Sequence, residues 1–351
     1  MSEINLEHKR LSRREELFQY YRYLRFIIST GKLFKRKKTK PGKRKRNKLL
    51  QFIRISGYLA RKGKLFRLNL PGIKAFLLRK TSFLLDAGWL TIIFNSTILF
   101  LLAFTFEFLL FNFSTGLAGL TLNMKSVIYY YDIDFLVRSR DWSIDAIKII
   151  YSSGPFISLI ICLLSIIIYM TFTDERWMAR LFIFWIFCHA FTHSIGAVLS
   201  GALLSEGFGY VIMYMFWMDT AKVVISIAMI VILVLMGIIF TRSFLLTGNI
   251  YFNDLKPHNR MPFVYSQFII PFLAGTGIIL LLKVPKVTAI DIMISCSMAV
   301  FLFPFAGNAR SSEDIYFDDD PRKIRISWRW LMVALPLLAL FRIIFAIGVR
   351  L

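Results

Sequence analysis

Hydrophobic and polar positions along this chain divide it in two. From about residue 88 onward, apolar runs alternate with short polar stretches. Each run has roughly the 20 residues that an α-helix needs to cross a hydrocarbon core of about 30 Å. Seven runs qualify: 88–112, 153–173, 180–204, 219–241, 263–283, 287–306 and 329–349. Transmembrane barrel strands would be short segments of strict alternation, and the pattern shows none. The chain is therefore read as an all-α polytopic membrane protein with about seven transmembrane helices. Composition agrees: 57% of the 351 residues are apolar, against about 45–50% in soluble domains.

Charge sharpens the division. Residues 1–80 carry 25 Lys and Arg against Glu3, Glu7, Glu15 and Glu16, a net +21 of the chain's +23. Two regions follow: a basic N-terminal region, 1–80, and a helical transmembrane domain, 81–351. The positive-inside rule places the basic region in the cytoplasm. The expected location is a bacterial inner (cytoplasmic) membrane. The basic region lacks a short apolar segment with a cleavage site, so the first span is expected to serve as the insertion signal. Its densest part, "KLFKRKKTKPGKRKRNK" (32–48), includes Lys35, Arg36, Lys37, Lys38, Lys43, Arg44, Lys45 and Arg46. This composition reads as solvated, extended chain suited to anionic lipid headgroups, an acidic partner protein, or RNA and the ribosome. Its flanks, 17–28 and 49–70, mix aromatic, aliphatic and basic residues as interfacial helices do.

With the N-terminus inside, the loop 113–152 lies outside and the turn 173–180 inside. Segment 205–218 is expected outside as a short interfacial or re-entrant helix. The loops 242–262 and 307–328 lie inside, and the C-terminus outside. Lys283 and Lys286 then fall outside, against the rule. The acidic stretch with Glu313, Asp314, Asp318, Asp319 and Asp320 reads as a solvated loop, with docking onto the basic region as the alternative. Cys162, Cys188 and Cys296 lie in apolar runs without CxxC spacing and read as small buried hydrophobes.

Ionisable residues inside the spans carry the candidate chemistry, because charge in hydrocarbon needs partners. At about 1.5 Å per residue, His193, Asp291 and Arg342 lie roughly 20–24 Å from the inner face, in one layer. Asp291 is expected to pair with Arg342. Glu107, Asp219 and Lys222 complete the polar set nearer the outside, with Asp219 and Lys222 one turn apart and paired locally.

The stretch "CHAFTHSIGAVLSG" (188–201) places His189 and His193 four apart on one helix face. This is the spacing of HExxH zinc sites, but Ala190 stands where the Glu would act as general base. The stretch resembles a degenerate form of the motif helix of site-2-protease-type intramembrane metalloproteases, over about 15 residues. The resemblance implies a metal held by His189, His193 and a later Asp, here Asp291, with Gly196 and Ala197 as the small residues after the motif. Ile292 stands where that family has Gly after its Asp. Alternatively, Gly196, Ala197, Ser200 and Gly201 form a small-residue seam for close helix packing, and the histidines hydrogen-bond to a neighbour. Haem would need another histidine, and His258 is expected in a loop.

Nothing reads as a Walker motif, nucleophile elbow or soluble catalytic domain. The first functional reading is a non-enzymatic membrane subunit or scaffold of a larger complex, without a cofactor. The alternatives are a transporter or channel using Asp291, Arg342 and His193, and a metalloenzyme or pseudoenzyme centred on His189 and His193.

Overall fold

A computed structural model describes residues 87–171, 178–320, 322 and 324–351. All of them belong to one unit, Leu77–Leu351. The basic segment with Lys35, Arg36, Lys37, Lys38, Lys43, Arg44, Lys45 and Arg46 lies outside the described residues, as does most of the turn 173–180.

Among the described residues, seven helices are long and apolar enough to cross a membrane. The chain begins with α1 (Ala87–Thr121), the hairpin strands β1 (Ser126–Ile128) and β2 (Ile133–Phe135), α2 (Ile144–Thr171) and α3 (Met178–Leu204). A short α4 (Phe208–Tyr214) precedes α5 (Asp219–Ile239), α6 (Thr241–Leu246) and β3 (Asp254–Leu255). Then come α7 (Pro257–Lys283), α8 (Ala289–Arg310), β4 (Ile315–Tyr316), α9 (Trp328–Ile347) and β5 (Val349–Arg350). The protein is an all-α integral membrane protein. Two small antiparallel sheets mark the faces of the bundle. β5 pairs with β1 (Val127 opposite Arg350) on one face, and β3 pairs with β4 (Asp254 opposite Tyr316) on the other. An odd number of crossings separates the start of α1 from the end of α9.

The loop between the first two spans is shorter than the apolar pattern predicts. α1 runs nine residues past 112, and α2 begins nine before 153. Polar side chains in these stretches serve the helices. Asn112 Nδ2 donates to the Phe108 carbonyl (2.9 Å) and Thr115 Oγ1 to the Phe111 carbonyl (3.0 Å). The Ser143 hydroxyl accepts from the Ala146 N–H (3.1 Å) and caps the start of α2. Bonds of this kind let polar residues continue a helix.

Two helices form the interior. The spanning windows of α1 and α3 are 72% buried, those of α5 and α9 only 17%. α3 packs on α1, α2, α5 and α8, while α1 also meets α2, α7 and α9. α5 and α9 turn large apolar side chains such as Ile239 and Ile347 outward, as lipid-facing helices do. The core is dense in aromatic rings: Phe244 sits 3.9 Å from Phe184 and 4.2 Å from Phe305, between ring centres.

Small residues let backbones close up. A Cβ at Gly196 would lie 3.0 Å from the Ser297 hydroxyl of α8. One at Gly201 would lie 2.5 Å from the Gly209 nitrogen of α4. Of the expected seam, then, Gly196 and Gly201 lie at such close approaches, to two different neighbours. Ala197 and Ser200 are buried beside a cavity.

α7 is irregular for a traceable reason. It carries a π-helical turn at Tyr265–Ile269, followed by Pro271. Pro271 has no N–H to offer the Gln267 carbonyl four residues back. The Ser96 hydroxyl of α1 donates to that carbonyl (2.6 Å) and accepts from the Trp185 indole of α3 (3.0 Å). Three helices are joined around a carbonyl that hydrocarbon could not satisfy. At the β3–β4 face, buried Arg260 reaches the carbonyls of Ser312, Leu255 and Glu313 and the Asp314 carboxylate (2.6 Å). The acidic loop expected to be solvated is fastened to the start of α7.

Gly201→Ala is expected to destabilise the protein by about 1–3 kcal/mol, because the facing atom is backbone and cannot turn aside. Gly277→Ala, whose added methyl would meet nothing within 4 Å, serves as the neutral control. Thermal unfolding of both variants in the same detergent checks the difference.

Candidate functional site

Three helices supply one polar group each at the centre of the bundle, two buried and one part-buried. Glu107 of α1 has no exposed surface. Its Oε1 accepts from the Ser158 hydroxyl of α2 (2.5 Å). Its Oε2 lies 2.9 Å from His193 Nδ1 of α3. That same Nδ1 lies 3.0 Å from the His189 carbonyl. A carbonyl and a carboxylate can only accept, so Nδ1 carries a hydrogen. The second ring nitrogen, Nε2, is left for chemistry. A carboxylate behind Nδ1 fixes the ring's orientation and steadies the imidazolium when Nε2 takes a proton.

His189 points elsewhere. Its Nε2 lies 3.2 Å from the Phe100 carbonyl of α1 and donates to it, and its ring packs 4.4 Å from the Phe100 ring. The two imidazole centres are 6.4 Å apart. Asp291 accepts from Lys283 Nζ (2.6 Å), the Thr288 hydroxyl (2.8 Å) and the Thr288 N–H (3.0 Å), the last two capping α8. The expected ligand trio His189, His193 and Asp291 is thus committed to three separate tasks. Among the described residues no group of three His, Cys, Asp or Glu side chains is placed to hold a metal.

The intramembrane polar set needs correction in three places. Asp291 pairs with Lys283 rather than Arg342, because Lys283 ends α7 and faces the capped start of α8 across a short loop. Arg342 instead lies over the Tyr130 ring (3.7 Å to its centre) and reaches the Val284 carbonyl (3.3 Å). Glu107 lies farther from the end of its helix than expected: the longer α1 puts it 14 residues from that end, about 21 Å rather than about 8 Å. Asp219 and Lys222 do pair (3.2 Å), but at the start of α5, apart from the rest.

Two cavities meet at these groups. A small one of about 40 Å³ reaches Phe100 and His189 in the bundle interior. A larger one of about 340 Å³ opens on the face that carries β1, β2 and α4, with Asp132, Asp134 and Glu206 at its mouth. His193, Lys283 and Asp291 line both. Beyond Phe100 rings fill the interior: Trp185 meets the Phe100 ring edge-on at 4.9 Å, and buried Phe272 follows at 6.4 Å. The polar approach is therefore one-sided.

At the rim, Lys286 Nζ donates to the Tyr131 hydroxyl (2.7 Å), which itself donates to Asp134 (3.1 Å). Burial pushes the Tyr131 phenol above its usual range, against the pull of Lys286; the Tyr131 hydrogen bond pushes the Lys286 ammonium up. Sequence reasoning missed Ser158, which looks like any serine in an apolar helix. It also left Lys283 as a loop charge, although a lysine ending one span eight residues before an aspartate opening the next is a legible cue for a pair. Comparison with protein-family models, curated proteins and solved structures finds no match to this chain.

Lys283→Met is expected to cost about 3–5 kcal/mol, since it strands the Asp291 carboxylate in a low-dielectric setting. Adding Asp291→Asn, which keeps the α8 cap, should recover most of that loss. Asp291→Asn and Arg342→Gln should combine additively within about 0.5 kcal/mol. A double-mutant cycle on detergent-solubilised protein checks both.

Proposed function

We propose that the chain is a proton-linked membrane carrier, in which a solute enters from one face and meets the His193–Glu107 pair. One observation carries the reading: a wide cavity leads from a bundle face to a part-buried, oriented imidazole whose Nε2 is uncommitted. A proton taken at Nε2 creates a cation 2.9 Å from Glu107, so the membrane interior holds a compensated pair. Loss of that proton leaves Glu107 to the Ser158 hydroxyl, with the neutral imidazole 2.9 Å away. Each protonation state has a partner, which lets the site cycle. The positive-inside pattern of residues 1–80 supports an orientation in which the cavity faces the outside.

The scaffold reading draws on the basic segment and on the apolar outer faces of α5 and α9. It gives no account of a cavity that reaches a buried ion pair, since packing alone favours filling such space.

The test uses the full chain in liposomes under an imposed pH gradient, with an internal pH dye and a panel of amines, amino acids, sugars and inorganic ions. At least one solute is expected to dissipate the gradient. That flux should fall at least about tenfold in Glu107→Gln and in His193→Gln, as loss of a positioned proton-transfer group does. Flux that is the same in protein-free liposomes, or that survives both substitutions, sinks the reading.

A further inference from the structure

We infer that the larger cavity is a binding site for a protonated organic amine. This deepens the carrier reading by naming its substrate class.

Charge is the first reason. Asp132, Asp134 and Glu206 line the cavity and form no ion pair with any described residue. Asp132 accepts only from the Ile133 N–H (2.8 Å), and Asp134 from the Tyr131 hydroxyl. The deeper charges, Lys283 with Asp291 and His193 with Glu107, are already paired. Carboxylates therefore outnumber cations at the cavity even with Lys286 counted at its rim, and low-dielectric walls focus that field on an entering cation.

Hydrogen-bond capacity is the second, and it is independent of the carboxylates. Asn112, Thr115 and Ser200 line the cavity and are at most 4% exposed. Each spends a hydrogen on its own helix: Asn112 on Phe108, Thr115 on Phe111, and Ser200 on Ala197 (3.1 Å). A hydroxyl has one hydrogen to give. What the two hydroxyls leave toward the cavity is acceptor capacity; Asn112 leaves Oδ1, which has no partner among the described residues, beside the second hydrogen of its Nδ2. Such a lining asks for a ligand that donates.

The third reason is aromatic. Phe108, Phe111, Tyr131, Tyr151 and Tyr210 contribute ring surface. The protein's own ammonium groups use these faces: Lys283 Nζ lies 5.0 Å from the Phe108 ring centre, and Lys286 Nζ 4.2 Å from that of Tyr131. An ammonium over a ring face is attracted by the ring quadrupole. An inorganic cation would instead want a shell of convergent oxygens. A cavity of about 340 Å³ lies in the range that takes a small organic molecule.

The probes are phenethylammonium, the near-isosteric neutral 2-phenylethanol and the anion phenylacetate, titrated calorimetrically into the full chain in detergent at neutral pH. Phenethylammonium is expected to bind at least about tenfold more tightly than either other probe. The combined variant Asp132→Asn with Glu206→Gln, both at the exposed mouth, should weaken it about tenfold or more and leave 2-phenylethanol unchanged. Equal binding of alcohol and amine, retained affinity in the variant, or no saturable amine binding each overturns the assignment. Amine binding without proton-linked flux overturns the carrier reading and leaves the site standing. Flux of another solute without amine binding does the reverse.

Discussion

A carboxylate with no exposed surface inside a bundle of membrane-spanning helices is the constraint on which this structure turns. An unpaired charge there costs about 2.5–3.5 kcal/mol on insertion scales, and more if no water reaches it. Glu107 meets that cost with His193 from α3 and Ser158 from α2. The three helices that carry these groups are packed against one another, and α1 and α3 are the most buried spans. The contact has a second effect. With the His189 carbonyl and the Glu107 carboxylate both on the Nδ1 side of His193, Nε2 is left free, so the arrangement that makes burial tolerable also leaves an uncommitted base at the junction of the cavities.

Polarity is distributed unevenly along the same helices. Toward the β1–β2 face, α1 presents Glu107, Asn112 and Thr115 beside a cavity. Toward the other face it presents Asn95 and Ser96, which are spent on structure: Ser96 on the Gln267 carbonyl that Pro271 leaves open, and Asn95 on the Arg325 carbonyl and the Ser327 N–H. Between the two halves stand Phe100 and Trp185. Gly275 of α7 leaves room for the Phe100 ring, since any side chain there would strike it. The closed half and the cavity-bearing half therefore come from one set of helices, separated by ring packing rather than by a change of fold.

The hairpin and β5 border the cavity-bearing half. β5 pairs with β1 directly after α9, so the last residues of the chain brace the loop that carries Asp132 and Asp134. At the opposite face, Arg260 and the β3–β4 pair tie the acidic loop to the start of α7. Short sheets hold loops that hydrophobic burial alone would leave loose, because each ladder satisfies backbone groups that otherwise depend on water.

Helix number, approximate spans and the membrane class were legible in the sequence, because a bilayer imposes one length and one polarity on every crossing. The helix ends near 112 and 153 were not, because Asn112, Thr115 and Ser143 signal a loop by composition and act as helix partners only once their hydrogen-bond acceptors and donors are in place. Of the candidate site, His189, His193, Glu107, Asp291 and Arg342 stood out as ionisable residues in apolar runs. Their partnerships did not, since pairing depends on helix rotation and neighbour order, which no single span encodes. Tertiary packing gave Asp291 to Lys283, set Arg342 on Tyr130, and turned the two histidines of one helix face to different neighbours. Sequence by itself determined that charge lies in the membrane; only the packed bundle decided which charges meet and which of them a solute can reach.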